Sequence, residues 1–209
     1  LPDYQTQCGC ADIMMHTMER YFVLEDTMEI TDKIAQDVMK NVMKYAKILK
    51  KDPENYEARA EIMWCGSLSH NGLTGCGTCG GDWATHLIEH ELGGMFDVAH
   101  GAGLAAVWGS WARYVMDEKP ERFAQFAVDV MGVEESDDVK STALKGIEAV
   151  EEFYRMIEMP TNMKELGIDP TDEQIKDMAM KATNHDTQQL GAFKKLSAKD
   201  LVEIYKTAK

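Results

Sequence analysis

The apolar residues of this chain recur at helical spacing, and this periodicity constrains the fold more than any other feature. Near the start, Met14, Met18 and Tyr21 follow one another at steps of four and three residues, and residues 139–157 repeat the pattern. That spacing places side chains on one face of an α-helix, whereas no stretch shows the strict alternation of a half-buried β-strand. We therefore expect an all-α fold of about nine or ten helices, with residues 1–209 forming one domain.

Capping and proline signals predict where several helices begin. Asp52 and Pro53 predict an N-cap and the first residue of a helix, and Pro120 predicts the first residue of another. The sequence Thr171-Asp172-Glu173-Gln174 is typical of a capping box, and Ser197 predicts the start of the last helix.

Two local predictions concern the first third of the chain. A polar turn is expected at residues 25–27, between the first two helices. Trp64 and Cys65, on the helix that follows Pro53, are both expected in the core.

The charge of the chain excludes two classes of partner. The 36 acidic residues outnumber the 22 basic ones, which gives a formal net charge of −14. Such a field repels phosphate backbones and anionic membrane surfaces. The longest nearly apolar run, residues 102–112, is far shorter than the ~20 residues that span a bilayer. We expect a soluble protein that binds neither nucleic acid nor membrane.

The cysteines indicate a reducing compartment. Their number, five, is odd. Cys8 and Cys10, like Cys76 and Cys79, are too close in sequence for an easy structural disulfide framework. Reduced thiols in the cytoplasm fit this pattern better.

Three of the six histidines fall within fifteen residues, at His86, His90 and His100. The step from His86 to His90 places both imidazoles on one helix face. Imidazole is the commonest protein ligand of several divalent metals, and its proton moves near neutral pH. Hydrogen-bonded core histidines remain the alternative, but three together favour a metal or proton-transfer site.

A carboxylate and an imidazole also share a face of the first helix. Asp12 and His16 stand four positions apart in the sequence, among methionines. By itself the pair is typical of a charge-assisted hydrogen bond. Its meaning therefore depends on whether it lies near the later histidines.

Taken together, these motifs resemble the metal-binding half of the iron-containing (group III) alcohol dehydrogenases, most closely their butanol dehydrogenase branch. The family pattern D-x-x-x-H occurs here as residues 12–16, H-x-x-x-H-x-L-G-G as residues 86–94, and H-G as His100-Gly101. The resemblance covers nearly the whole chain.

The resemblance implies a site and an activity. Asp12, His16, His86 and His100 would be the metal ligands, and His90 would be a catalytic proton relay beside the substrate. One carboxylate and three imidazoles suit Fe²⁺, and also zinc, nickel or cobalt. The implied reaction is reversible hydride transfer between a primary alcohol or aldehyde, the small-molecule partner, and NAD or NADP.

The resemblance also implies a domain organisation. The chain would be the multi-helical C-terminal domain of the iron-containing alcohol dehydrogenase and dehydroquinate synthase-like fold. In this family a nucleotide-binding α/β domain precedes that domain and binds most of the NAD or NADP. No strand-glycine-helix phosphate-binding pattern occurs from Leu1 onward, and no residue here is assigned to the cofactor. We expect a homodimer, and a fragment that binds metal but is inactive alone.

Three alternatives stay open. Residues 86–90 also match H-x-x-E-H, the motif of a class of zinc metallopeptidases with Glu89 as general base. Zinc polyol dehydrogenases of the same superfold use fewer ligands, although His16 argues against them. A helical assembly module without catalysis is the third alternative.

Overall fold

The computed structural model describes residues 1–26 and 28–209. Within those ranges it contains nine α-helices, two short 3₁₀ helices and no β-strand, which confirms the predicted all-α class. The predicted turn at 25–27 includes Thr27, which lies outside the described residues. The helices, numbered in chain order, are α1 Asp3–Tyr21, α2 Glu29–Lys51, α3 Tyr56–His70, α4 Ala84–Phe96, α5 His100–Val115, α6 Pro120–Asp129, α7 Val139–Met156, α8 Asp172–Ala182 and α9 Ala198–Ala208.

Most helix starts follow the predicted signals. Thr171 forms a capping box with Gln174 at the start of α8, Ser197 forms one with Asp200 at the start of α9, and Pro120 is the first residue of α6. In the two capping boxes, the Thr171 side chain accepts the backbone N–H of Gln174 and the Asp200 side chain accepts that of Ser197, so that N–H groups without a partner in the first helical turn are satisfied.

The predicted start of the third helix is wrong. Residues 53 and 54 form a turn, and α3 begins at Tyr56. Asn55 is the N-cap, because its side chain accepts a hydrogen bond of 3.0 Å from the backbone N–H of Ala58. This bond satisfies one of the backbone N–H groups that lack a partner in the first turn of a helix. The side chain of Asp52 does not reach the N–H groups at the start of α3.

The core prediction for α3 is half right. Cys65 is buried, whereas the side chain of Trp64 is 61% exposed. Consecutive residues on a helix point about 100° apart. Cys65 lies on the face of α3 that packs against α1 and α2, and Trp64 points away from it. Trp64 lies with Tyr56 and Met63 on the solvent side of α3.

The central helix is α5, which contacts α1, α4, α7 and α9. Every residue in the range 101–112 is buried, as the many small residues of this segment allow. Its two tryptophans, Trp108 and Trp111, pack against Phe22 at the end of α1, and Phe22 stacks on Phe123 of α6 with ring centroids 4.3 Å apart. This apolar core holds α1 and α5 side by side.

The start of α4 is fixed by Asp82. Its carboxylate accepts hydrogen bonds from the backbone N–H groups of Ala84 (3.0 Å), Ala192 (2.7 Å) and Phe193 (2.7 Å). The backbone N–H of Asp82 donates to the carbonyl of Glu19, at 2.9 Å. These bonds hold α4 against both α1 and the segment that precedes α9.

No helix in residues 1–26 or 28–209 combines the length and apolar character of a membrane span. All five cysteines, each of them a described residue, are free thiols.

Candidate metal centre

The site begins on α1. Asp12, His16 and Glu19 follow one another at steps of four and three residues, which places them along one face of the helix. That face looks towards α4 and the start of α5. Glu19 is fully buried, and Asp12 and His16 are partly buried.

Three imidazoles surround one oxygen of Asp12. The Oδ1 atom lies 3.5 Å from Nε2 of His16, 3.5 Å from Nε2 of His86 and 3.4 Å from Nε2 of His100. These separations exceed the normal hydrogen-bond range of about 2.7–3.2 Å. Ligands bound tetrahedrally at about 2.1 Å from one divalent ion would lie about 3.4 Å apart, so the spacing suits metal ligation.

The potential ligand atoms form overlapping groups. Asp12, His86 and His100 form one set in which all ligand atoms lie within 4.8 Å of one another, and Asp12, His16 and His70 form a second. The structure thus brings all four predicted ligands together around Asp12, in two groups that share this residue. Their role as ligands stays a prediction.

Two buried carboxylates orient the imidazoles. Glu19 accepts a hydrogen bond from Nδ1 of His86, and Glu89 accepts one from Nδ1 of His100. Glu19 also accepts the backbone N–H of His86, at 3.1 Å. When Nδ1 carries the proton and donates it to a carboxylate, Nε2 keeps its lone pair and faces Asp12, which is the arrangement of metal-binding histidines in proteins.

Unpaired polar atoms at the centre fit a cation. Oδ1 of Asp12 and Nε2 of His86 are buried and have no hydrogen-bond partner within the part of the chain that the structure describes. Buried polar atoms nearly always have partners, and an ion is one of the recognised explanations for an exception. Both atoms face the point that an ion bound by the surrounding imidazoles would occupy.

Burial and charged neighbours shift the pKa values of the site in opposite directions. Burial alone would raise the pKa of Asp12, but the facing His100 and His86 outweigh it and hold this pKa well below its usual range. Burial opposes protonation of His86, yet Asp12 and Glu19 raise its pKa to about 9. Asp12 and Glu89 raise the pKa of His100 to about 10. Burial lowers the pKa of His16 to about 4, so His16 is neutral at pH 7.

His90 lies at the edge of the site. Its side chain is exposed, and its ring centroid is 5.5 Å from that of His100 and 6.3 Å from that of His86. It groups with His100 and Glu89 rather than with Asp12. The structure therefore places His90 beside the cluster, on its open side.

Sequence reasoning missed three features of the site: the roles of Glu19 and His70, and the use of Glu89 to orient His100. Glu19 carried a usable signal, because it continues the face of Asp12 and His16 at the next helical step. The position of His70 depends on how α3 packs against α1, which local spacing does not encode.

The metallopeptidase alternative is not supported. It requires Glu89 as a solvent-accessible general base, but this side chain is 1% exposed and is hydrogen-bonded to His100. It also requires His90 as a ligand beside His86, whereas His90 lies outside the group around Asp12.

Comparisons with known proteins find relatives along the whole chain. It is 33% identical over 207 residues to NADH-dependent butanol dehydrogenase A of Clostridium acetobutylicum, covering 99% of this chain and 52% of that protein. It is 31% identical over 210 residues to the NADPH-dependent aldehyde reductase YqhD of Escherichia coli, covering 100% of this chain and 53% of that protein. These relatives support the alcohol dehydrogenase interpretation over the polyol dehydrogenase alternative.

A solved structure gives the same result for the fold. The crystal structure of NADH-dependent butanol dehydrogenase A from Thermotoga maritima superposes with a TM-score of 0.91 at 34% identity, covering 100% of this chain and 53% of that one. The chain spans about half the length of the curated relatives it matches. Residues 6–209 match the family described as Fe-containing alcohol dehydrogenase, C-terminal, and the chain therefore belongs to the Fe-containing alcohol dehydrogenase family.

Proposed function

We propose that the protein is a metal-dependent alcohol dehydrogenase that transfers hydride reversibly between a primary alcohol or its aldehyde and NAD or NADP. This chain supplies the metal and the substrate side of the reaction. The observation that carries the proposal is the cluster in which Nε2 atoms of His16, His86 and His100 lie 3.4–3.5 Å from one oxygen of Asp12.

The proposed ligands are Asp12, His16, His86 and His100. A divalent ion held by them would supply Lewis-acid chemistry, which polarises the oxygen of an alcohol or aldehyde. Fe²⁺ is the proposed ion, since the family is described by iron, and the same donors suit zinc, nickel or cobalt.

The neighbouring carboxylates prepare this ligand set. Once an ion has displaced the second proton of His86 and of His100, Glu19 and Glu89 would hold the remaining proton on each Nδ1, so that each Nε2 would point its lone pair at the ion. His16 is neutral at pH 7 because burial lowers its pKa. It can therefore bind an ion without first losing a proton.

His90 is the proposed proton relay. Its exposed imidazole lies next to His100, on the side of the cluster that faces solvent. A histidine in that position can accept the hydroxyl proton of an alcohol and pass it to water, and it can return the proton when an aldehyde is reduced.

A second domain completes the proposal. The side chain of His100 is 41% exposed, so that one side of the cluster remains open to a nicotinamide. We propose that a nucleotide-binding α/β domain precedes this chain in the full-length protein and that the chain alone is inactive. The relatives named above differ in their use of NADH and NADPH, and we assign this choice to the preceding domain.

The remaining parts of the proposal follow from the family resemblance and the cysteines. We propose a homodimer, as expected for this family. The five free thiols favour a location in the reducing cytoplasm.

The test is an assay of the full-length protein with butanal and NADH or NADPH, followed by the absorbance of the reduced nicotinamide. We expect activity that a chelator removes and Fe²⁺ restores, and that Asp12→Ala abolishes. Asp37→Ala is the matched control, since this α2 side chain is 74% exposed. Full activity of the metal-free protein, or of Asp12→Ala, would contradict the proposal.

A further inference from the structure

A fourth imidazole outside the proposed ligand set faces the same carboxylate. His70 is the last residue of α3, and its Nε2 lies 3.6 Å from Oδ2 of Asp12. The imidazoles of the proposed ligands face the other oxygen, Oδ1. Asp12 therefore has histidines on both of its oxygens.

The hydrogen bonds of His70 leave the nitrogen that faces Asp12 free to bind a cation. Its Nδ1 lies 2.9 Å from the carbonyl oxygen of Gly66 and 2.7 Å from Oγ of Ser69. A carbonyl oxygen can only accept, so Nδ1 carries the proton and Nε2 carries the lone pair. This is the same arrangement that Glu19 and Glu89 impose on the proposed ligands.

The end of α3 is fixed in this place. Arg20 of α1 donates hydrogen bonds to the carbonyl of Ser69 (2.7 Å) and to the carbonyl of His16 (3.1 Å). The rings of His16 and His70 lie 3.8 Å apart between centroids. His70 therefore occupies a defined position beside the cluster.

His70 lies on the solvent side of the centre. Its side chain is 44% exposed, close to the 41% of His100, whereas that of His86 is 8% exposed, so His70 and His100 both border solvent and His86 does not. Asp12, His16 and His70 form a group of ligand atoms within 4.8 Å of one another. This group shares Asp12 and His16 with the proposed site. Because Nε2 of His16 binds one ion at a time, the two positions would be occupied in turn.

We propose that Asp12, His16 and His70 form an outer metal position through which a divalent ion enters and leaves the inner position at His86 and His100. The inference rests on the proposed metal site. It adds a role for His70 that the inner ligand set does not need.

The outer position has a specific kinetic consequence. A residue that binds the ion only in transit accelerates entry and exit by the same factor, because the free energies of the start and end states are unchanged. A ligand of the resting ion would behave differently, since its loss would accelerate release and lower the equilibrium affinity.

The test measures Zn²⁺ uptake by the metal-free full-length protein in a stopped-flow instrument with a chromophoric indicator, and release from the zinc-loaded protein into excess chelator. We compare wild type, His70→Asn and, as the control, His185→Asn. His185 is exposed and has a positive φ of 58°, which asparagine tolerates.

We expect His70→Asn to slow both uptake and release of Zn²⁺ by about tenfold, which is the size of effect seen when residues next to metal ligands are replaced. We expect the affinity for Zn²⁺ and the thermal midpoint of the metal-free protein to stay unchanged. Wild-type rates in His70→Asn, or faster release with weaker affinity, would overturn the outer position while leaving the inner site intact. A wild-type protein that takes up no Zn²⁺ would overturn the inner site as well.

Discussion

At the scale of single residues, the proposed ligands depend on two buried carboxylates outside the ligand set. Glu19 and Glu89 are 0% and 1% exposed, and each accepts a hydrogen bond from a proposed ligand. Burying two carboxylates is costly unless they are paired. In this site their pairing fixes the direction in which His86 and His100 present their lone pairs.

Replacing either buried carboxylate is expected to weaken ion binding. We predict that Glu19→Gln and Glu89→Gln each lower the affinity for Zn²⁺ by about 10- to 100-fold, because an amide holds the imidazole less firmly. Competition with a chelator of known affinity measures the change. Glu57→Gln, at an exposed position of α3, is the control. Wild-type affinity in both Glu19→Gln and Glu89→Gln would show that these two carboxylates play no part in ion binding.

Ion binding is also expected to depend on pH in a known direction. The metal-free site raises the pKa of His86 to about 9 and that of His100 to about 10, so at pH 7 both carry a proton that an ion must displace. His16, with a pKa of about 4, loses none.

The apparent affinity should therefore rise with pH from 6 to 8, by up to roughly two orders of magnitude per pH unit. The rise should end above the higher of the two pKa values. Titrations with Zn²⁺ at several pH values measure the slope. An affinity that does not change with pH would rule out protonated His86 and His100 in the metal-free site.

Residue spacing predicted part of this centre. The four-residue steps from Asp12 to His16 and from His86 to His90 identified which side chains share a helix face. They did not show that His86 turns into the cluster while His90 stays exposed. That difference depends on where the fold places α4, which packs against α5 and α8 and is joined to α1 by the hydrogen bonds of His86 to Glu19.

At the scale of helices, the distance between α1 and α5 sets the geometry of the site. A Cβ atom added at Gly101 would lie 2.0 Å from the carbonyl oxygen of Cys8. Only glycine permits so close an approach of the two backbones. Gly101 follows His100, so this contact brings a proposed ligand of α5 close to Asp12 of α1.

We predict that Gly101→Ala destabilises the protein by about 1–3 kcal/mol, because the helices must move apart to accommodate the methyl group. Gly9→Ala is the matched control, since Gly9 lies on α1 with no atom within 4 Å of an added Cβ. Removing a helix-interior glycine there should stabilise by about 0.5–1 kcal/mol. Chemical denaturation measures both, and equal effects would show that the close approach is unimportant.

Helix starts were predicted best where the signal is local. The capping box at Thr171 involves only residues within one turn, and it forms as expected. The start of α3 was misplaced because Asp52-Pro53 and Asn55 both offer capping chemistry, and the hydrogen bond of Asn55 decides between them.

At the scale of the whole molecule, the centre joins parts of the chain that are distant in sequence. Its proposed ligands come from α1, α4 and the first residue of α5. The periodicity of the sequence sufficed to predict the all-α class, because each helix shows its apolar face. It could not predict how the helices are arranged, since that depends on contacts between side chains far apart in sequence.

An ion bound to all three helices should stabilise the fold as a whole. We predict a higher thermal midpoint with Fe²⁺ or Zn²⁺ than with a chelator, since a ligand present at a thousand times its dissociation constant adds about 4 kcal/mol. Differential scanning calorimetry measures the shift. Asp12→Ala should show none, and an equal shift in that variant would place the ion elsewhere.

The central claim is that one ion is held by Asp12, His16, His86 and His100, with His90 beside it as a proton relay. Elemental analysis of anaerobically purified wild type and of single alanine variants at these five positions tests it most directly. We predict one metal ion per chain in wild type and in His90→Ala, and strongly reduced metal in the other four variants. Full metal content in Asp12→Ala or His100→Ala, or its loss in His90→Ala, would contradict this account.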